Sequence, residues 1–71
     1  MSPEKMVRMA NQIATFFESQ PGTGQAEKVA GHINDFWEPR MRAQLLAHIA
    51  EGGEGLHPLV CEAADTLRAP A

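Results

Sequence analysis

The sequence has few of the residues that usually hold a small protein together or give it chemical reactivity. Of its 71 residues one is a cysteine and three are histidines, which are scattered along the chain. A disulfide within the chain is therefore excluded, and no His/Cys cluster predicts a metal that could replace one. A domain of this size buries only about 60% of its unfolded surface, so its stability is marginal. We expect burial against a partner protein to supplement the core.

Positive charge is also scarce. Six Lys and Arg face nine Asp and Glu, which gives a net charge of −3 and an isoelectric point near 5.5. The basic residues are spread along the chain apart from the pair Arg40 and Arg42. A nucleic-acid-binding domain of this size normally has a basic face and a high isoelectric point. The composition therefore predicts no nucleic acid among the partners.

Long apolar runs are absent too. Near the N-terminus Arg8, Asn11 and Gln12 interrupt the apolar residues, so neither a signal peptide nor a membrane span is predicted. We expect a soluble, cytoplasmic protein without membrane contact, and the lone cysteine agrees with a reducing compartment.

Candidates for catalysis are equally few. Cys61 could meet only His57, one helical turn earlier, and we interpret His57 as a helix-boundary residue and the pair as inert. The glycine-rich residues 22–24 follow a helix and lack the Gly-Lys-Ser/Thr of a phosphate-binding loop. The sequence therefore predicts no catalytic, cofactor-binding or metal-binding residue.

The sequence does contain apolar residues at helical spacing. No segment shows the alternation of apolar and polar residues that is typical of a β-strand. The sequence predicts an all-α single domain over residues 1–71, a small bundle of three to four helices at 3–19, 25–37, 39–51 and 58–68. The first two helices are expected to form a hairpin, and the short, Ala-rich fourth helix to be the least stable. Two apolar stripes support the hairpin: Met6, Met9, Ala10, Ile13 and Phe17 in the first helix, and Ala26, Val29, Ala30, Ile33 and Trp37 in the second.

A bend is predicted at the Trp-x-Pro sequence of residues 37–39. Pro39 disfavours the α conformation of the residue before it but fits the first position of a new helix. Trp37 either completes the core or presents part of its indole to a partner. An Arg beside a large aromatic residue is typical of a protein–protein hot spot. We therefore predict a partner interface at Trp37, Pro39, Arg40 and Arg42, with a second candidate on the polar face of the first helix around Arg8 and Asn11.

The two arginines of this interface differ in position. Arg40 projects away from the apolar stripe of its helix, which favours contact with a partner. Arg42 occupies an apolar position, where it can extend along the surface, pair with Asp35 or Glu38, or reach a partner.

Several segments resemble the delta subunit of soluble NAD-dependent formate dehydrogenases. The likeness is carried by residues 5–14 and 16–17, by the string Phe-Trp-Glu-Pro-Arg-Met-Arg at 36–42, and by shorter matches at 29–30, 32–33, 52–53, 56 and 58–60. The resemblance implies a complex whose alpha subunit holds a molybdenum or tungsten pterin cofactor and iron–sulfur clusters. Other subunits would carry FMN, further clusters and the NAD site.

The resemblance also implies a role for this chain. It would be a non-catalytic, cofactor-free accessory subunit that binds the catalytic alpha subunit and supports assembly, cofactor maturation or stability of the complex. The alternative is a small helical regulatory or nucleic-acid-binding module that uses Arg40 and Arg42 on phosphates, against which the acidic net charge argues.

Overall fold

A computed structural model describes residues 2–68 of the chain. It contains four α-helices, Pro3–Glu18 (α1), Gln25–Phe36 (α2), Pro39–Ala50 (α3) and Pro58–Ala63 (α4), and a 3-10 turn at Ala64–Thr66. No strand occurs among these residues, so the predicted all-α fold is confirmed. None of the helices formed by residues 2–68 is long and apolar enough to cross a membrane.

The start of α1 combines three local signals. The Ser2 hydroxyl accepts a hydrogen bond from the Lys5 N–H at 3.2 Å, Pro3 occupies the first helical position, and Glu4 lies in the first turn. The hydroxyl satisfies an unpaired N–H, and the carboxylate interacts favourably with the positive end of the helix dipole. These contacts fix where α1 begins.

The predicted bend between α2 and α3 is present. The backbone of Trp37 is extended, with φ −86° and ψ 138°, and Glu38 follows at φ −64° and ψ 153°. Pro39 then opens α3 in the position where its missing N–H costs nothing. The bend lets α3 leave the direction of α2 and pack against α1.

The fourth helix is shorter than predicted. The α-helical part ends at Ala63, a 3-10 turn follows, and the backbone of Leu67 is extended. The Asn34 side chain holds this segment, because its amide nitrogen donates to the Thr66 carbonyl at 3.0 Å and its oxygen accepts the Arg68 N–H at 2.8 Å. The chain leaves the helical path here, and Leu67 is 8% exposed in the core.

The core lies between the α1–α2 hairpin and α4, which packs against both helices of the hairpin. The predicted stripes of α1 and α2 supply most of it, whereas α3 buries Leu45 alone as a core residue. The buried apolar residues are Met6, Ala10, Ala14, Val29, Ala30, Ile33, Trp37, Leu45, Val60, Ala63 and Leu67.

Glycines end α3. The Gly53 N–H donates to the His48 carbonyl at 3.0 Å and the Gly52 N–H to the Ile49 carbonyl at 3.1 Å, which is the Schellman pattern of a helix C-terminus. Gly52 and Gly53 have φ of 118° and 65°, values that favour glycine. The chain thereby turns back towards α1 before α4 begins.

Candidate partner-binding surface

The predicted corner at residues 37–42 is only partly available to a partner. Trp37 is 6% exposed, so its interpretation as a core residue is confirmed and little of the indole remains for an interface. Pro39 and Arg40 are exposed. The Arg40 guanidinium forms no hydrogen bond or ion pair with any of residues 2–68. A partner interface at this corner stays a prediction, and it now depends chiefly on Arg40.

Arg42 is used within the chain. Its Nη1 donates to the Trp37 carbonyl at 2.7 Å and its Nε donates to the Arg68 carbonyl at 3.1 Å. Of the alternatives for Arg42, the ion pair with Asp35 or Glu38 is not formed. The carbonyl at the end of α2 lacks a helical partner and lies at the negative end of the helix dipole, so a guanidinium satisfies it well. Arg42 thus differs from Arg40, because two of its guanidinium nitrogens already have partners within the chain.

Asn11 also makes its contacts within the chain. Its amide nitrogen donates to the Gly55 carbonyl at 2.9 Å, and its oxygen accepts the His57 N–H at 2.8 Å. The second predicted interface, around Arg8 and Asn11 on the polar face of α1, stays a prediction; within the chain the Asn11 side chain anchors the loop before α4. Arg8 stays exposed on the same face.

An apolar groove that the sequence did not point to opens between α1 and α2. Phe16 is 59% exposed and Phe36 is 74% exposed, the two large apolar side chains that the core leaves outside among residues 2–68. The groove has a volume of about 480 Å³. Neither α3 nor α4 contributes to its lining, which consists of Met9, Gln12, Ile13, Phe16, Phe17, His32, Phe36 and Trp37.

The rings of the groove contact one another across the two helices. Phe16 meets Phe17 edge-on with ring centroids 5.1 Å apart, and Phe17 meets His32 edge-on at 6.2 Å. His32 lies against Phe36 at 4.7 Å with an angle of 35° between the ring planes. Such contacts are favourable in themselves. The four rings thus form a continuous series that connects α1 with α2.

The three histidines have structural partners. The His57 Nδ1 accepts the Leu59 N–H at 3.0 Å and so caps α4, which places the proton on Nε2, 3.2 Å from a Glu18 carboxylate oxygen. His48 contacts the Glu54 carbonyl at 2.8 Å, and His32 packs in the groove. Cys61 is exposed, and the His57 ring is bonded elsewhere. Within residues 2–68 no three His, Cys, Asp or Glu side chains gather where they could hold a metal ion.

By its fold and its groove, the chain is a small helical protein that exposes an apolar, aromatic surface on a two-helix hairpin. The chain belongs to the family of the NADH-dependent formate dehydrogenase delta subunit FdsD, whose profile matches residues 5–64. The resemblance seen in the sequence is thereby confirmed, and the match includes the whole groove and the Trp-x-Pro bend. A comparison with curated proteins gave no match. As a formate dehydrogenase subunit, the chain has the other subunits of that complex as its partners.

Proposed function

We propose that the chain is a non-catalytic accessory subunit that binds the catalytic alpha subunit of formate dehydrogenase and supports its assembly, cofactor maturation or stability. The observation that carries this proposal is the open aromatic groove on a member of the delta-subunit family. A contiguous exposed apolar surface is typical of a protein-interaction site.

The energy available from covering the groove supports a binding role. A phenylalanine side chain buries about 150–250 Å², so the exposed fractions of Phe16 and Phe36 correspond to roughly 250 Å². At about 25 cal/mol per Å² their burial contributes about 6 kcal/mol before the costs of association. Covering these two rings therefore favours binding, and a stable complex needs further contact around the groove to offset the costs of association.

Cofactors of the complex belong, in this proposal, to other subunits: the molybdenum or tungsten pterin and iron–sulfur clusters in the alpha subunit, and FMN elsewhere. The dispersed histidines and the solitary Cys61 support this division, because an iron–sulfur cluster needs several thiolates. The contribution of this chain would be contact surface.

Pairwise co-expression tests the proposal. The tagged chain is produced with each of the other subunits in turn, and we expect the alpha subunit to be retained. Molybdenum or tungsten content, iron content and thermal stability of the alpha subunit are then compared with and without the chain. A metal deficit in its absence would indicate maturation, and a lower melting temperature at full metal content would indicate stabilisation. Retention on a different subunit, with no effect on the alpha subunit, would contradict the proposal.

A further inference from the structure

We propose that the α1–α2 groove binds an amphipathic helix of the partner, about two turns long. Apolar side chains at positions i, i+3 or i+4, and i+7 would fill the groove, and carboxylates would lie beside them. The inference rests on the proposed function, since it takes the alpha subunit as the source of the helix, and it adds the docking surface and the form of the docked segment.

The length of the groove matches such a helix. On α1 the lining extends from Met9 to Phe17, which are eight residues apart. At 1.5 Å per residue this is about 12 Å, slightly more than the rise of two helical turns. A groove between two helices that is lined by aromatic and aliphatic side chains typically takes the apolar face of a third helix. Two turns present three anchors at the proposed spacing.

A second copy of the chain fits the groove poorly. In a two-fold dimer the same patch lies on both sides of the interface, so two concave grooves would face each other and leave a void. A standard interface also buries about 800 Å² per partner. The two exposed phenylalanines supply only about 250 Å², and they flank a concave surface. A convex helical ridge fills such a surface, and its flanks can extend the contact.

The charge beside the groove favours an acidic partner. Lys5 and Lys28 are exposed, and each lies one helical turn before a residue of the lining. Neither forms an ion pair within residues 2–68. Asp35 follows a lining residue of α2 by three positions, so the local balance is two positive charges minus one, or +1. Arg8 lies on the polar face of α1 beside Glu4 and Asn11 and is not counted. Glu18 points away and contacts the cap of α4. The groove thus has a positive border on a chain whose net charge is −3.

Substitutions of the two exposed rings test the groove in the full-length chain. We expect Phe16→Ser and Phe36→Ser each to weaken binding to the alpha subunit by at least about tenfold, because they remove central apolar contacts. Phe16→Leu is the matched control, since it keeps an apolar side chain at the same position and should lose less. Thermal unfolding of the free variants should stay close to wild type, because both rings lie outside the core.

Charge reversal tests the acidic character of the partner helix. Lys28→Glu should weaken binding and reduce its dependence on salt, because Lys28 lies one helical turn before His32 of the lining. Arg68→Glu makes the same change of charge at an exposed site after the 3-10 turn, outside both helices of the groove. Equal effects of the two variants would contradict a specific charge contact at the groove.

A photo-crosslinking benzoylphenylalanine in place of Phe36 identifies the occupant. We expect the linked peptide to lie in the alpha subunit and to show apolar residues at the proposed spacing with Asp or Glu beside them. A link between two copies of this chain would overturn the proposal. If wild type binds the alpha subunit and the double variant of Phe16 and Phe36 to Ser binds equally well, the groove is not the docking surface although the proposed function stands. If wild type itself fails to bind the alpha subunit, both proposals fall.

Discussion

Asn11 on α1 and Asn34 on α2 make the same pair of hydrogen bonds at opposite ends of α4. Each amide oxygen accepts a backbone N–H, and each amide nitrogen donates to the carbonyl two residues earlier, at distances between 2.8 and 3.0 Å. Asn11 holds the segment before α4, and Asn34 holds the segment after the 3-10 turn. A helix of six residues is not stable alone. The two asparagines therefore help to keep it docked.

Removing either amide should loosen α4. A protein hydrogen bond contributes about 0.5–1.5 kcal/mol net, and these bonds are partly solvated, so we expect Asn11→Ala and Asn34→Ala each to lower the free energy of unfolding by about 1–2 kcal/mol. For a domain of this size that is a fall in melting temperature on the order of 5–10 °C. Amide exchange should show reduced protection in α4 before the rest of the fold is affected.

The exposed neighbour Gln12 provides the control for these asparagines. Gln12→Ala should change stability by less than about 0.5 kcal/mol. If Asn11→Ala changed the free energy of unfolding as little as Gln12→Ala, the hydrogen bonds of Asn11 would be no more favourable than the bonds to water that replace them.

The reach of an interaction along the chain explains what the sequence could and could not predict. The stripes of α1 and α2 and the bend at Pro39 depend on residues within a few positions of one another, and the structure confirms them. The contacts of Asn11 join residues 44 and 46 positions apart, and those of Asn34 span 32 and 34 positions. No local pattern encodes such contacts, so periodicity predicts neither the internal contacts of Asn11 nor the early end of α4.

The groove was missed for a related reason. Phe16 and Phe36 lie at the borders of the apolar stripes of α1 and α2. Periodicity does not show whether side chains at such borders are buried between the two helices or exposed to solvent. That depends on how α1 and α2 are rotated in the hairpin and on which side α4 covers. One feature of the sequence does indicate the groove: both border positions hold large aromatic residues in a chain with only 6% aromatic residues.

Arg42 and Arg40 should differ sharply in their effect on folding. Arg42→Ala removes hydrogen bonds to two carbonyls, one at the end of α2 and one after α4, and we expect a loss of about 1–2 kcal/mol of stability. Arg40→Ala removes no side-chain hydrogen bond or ion pair within residues 2–68 and should cost less than about 0.5 kcal/mol. Urea unfolding of the two variants checks this difference.

The same arginine variants also report on the predicted corner. Arg40→Ala should weaken retention on the alpha subunit if the corner is an interface, because truncating a central interface Arg costs on the order of 2 kcal/mol. If Arg40→Ala is retained on the alpha subunit as well as wild type, the corner has a structural role and the groove is the interface that we still propose.

Two glycine substitutions should shift stability in opposite directions. Gly53 has φ 65°, and an added Cβ would lie 3.2 Å from the Cys61 Sγ, so Gly53→Ala should lose about 1–2 kcal/mol through backbone strain. Gly31 lies inside α2, and an added Cβ would have no atom from outside this helix within 4 Å, so Gly31→Ala should gain about 0.5–1 kcal/mol. Denaturant midpoints measure both, and a shift of the same sign would contradict the backbone argument.

The isolated chain should carry no metal, flavin or iron–sulfur cluster. Its histidines are engaged in capping, packing and a backbone contact, and Cys61 is the only cysteine. Elemental analysis and an absorption spectrum after gentle purification measure this directly, and stoichiometric iron or zinc would contradict it. Cys61→Ser supplies the matched variant: formate oxidation by the assembled complex should be nearly unchanged. Iron present in wild type and lost in Cys61→Ser would instead assign a ligand to α4, since serine keeps the size of the side chain but removes the thiolate that binds the metal.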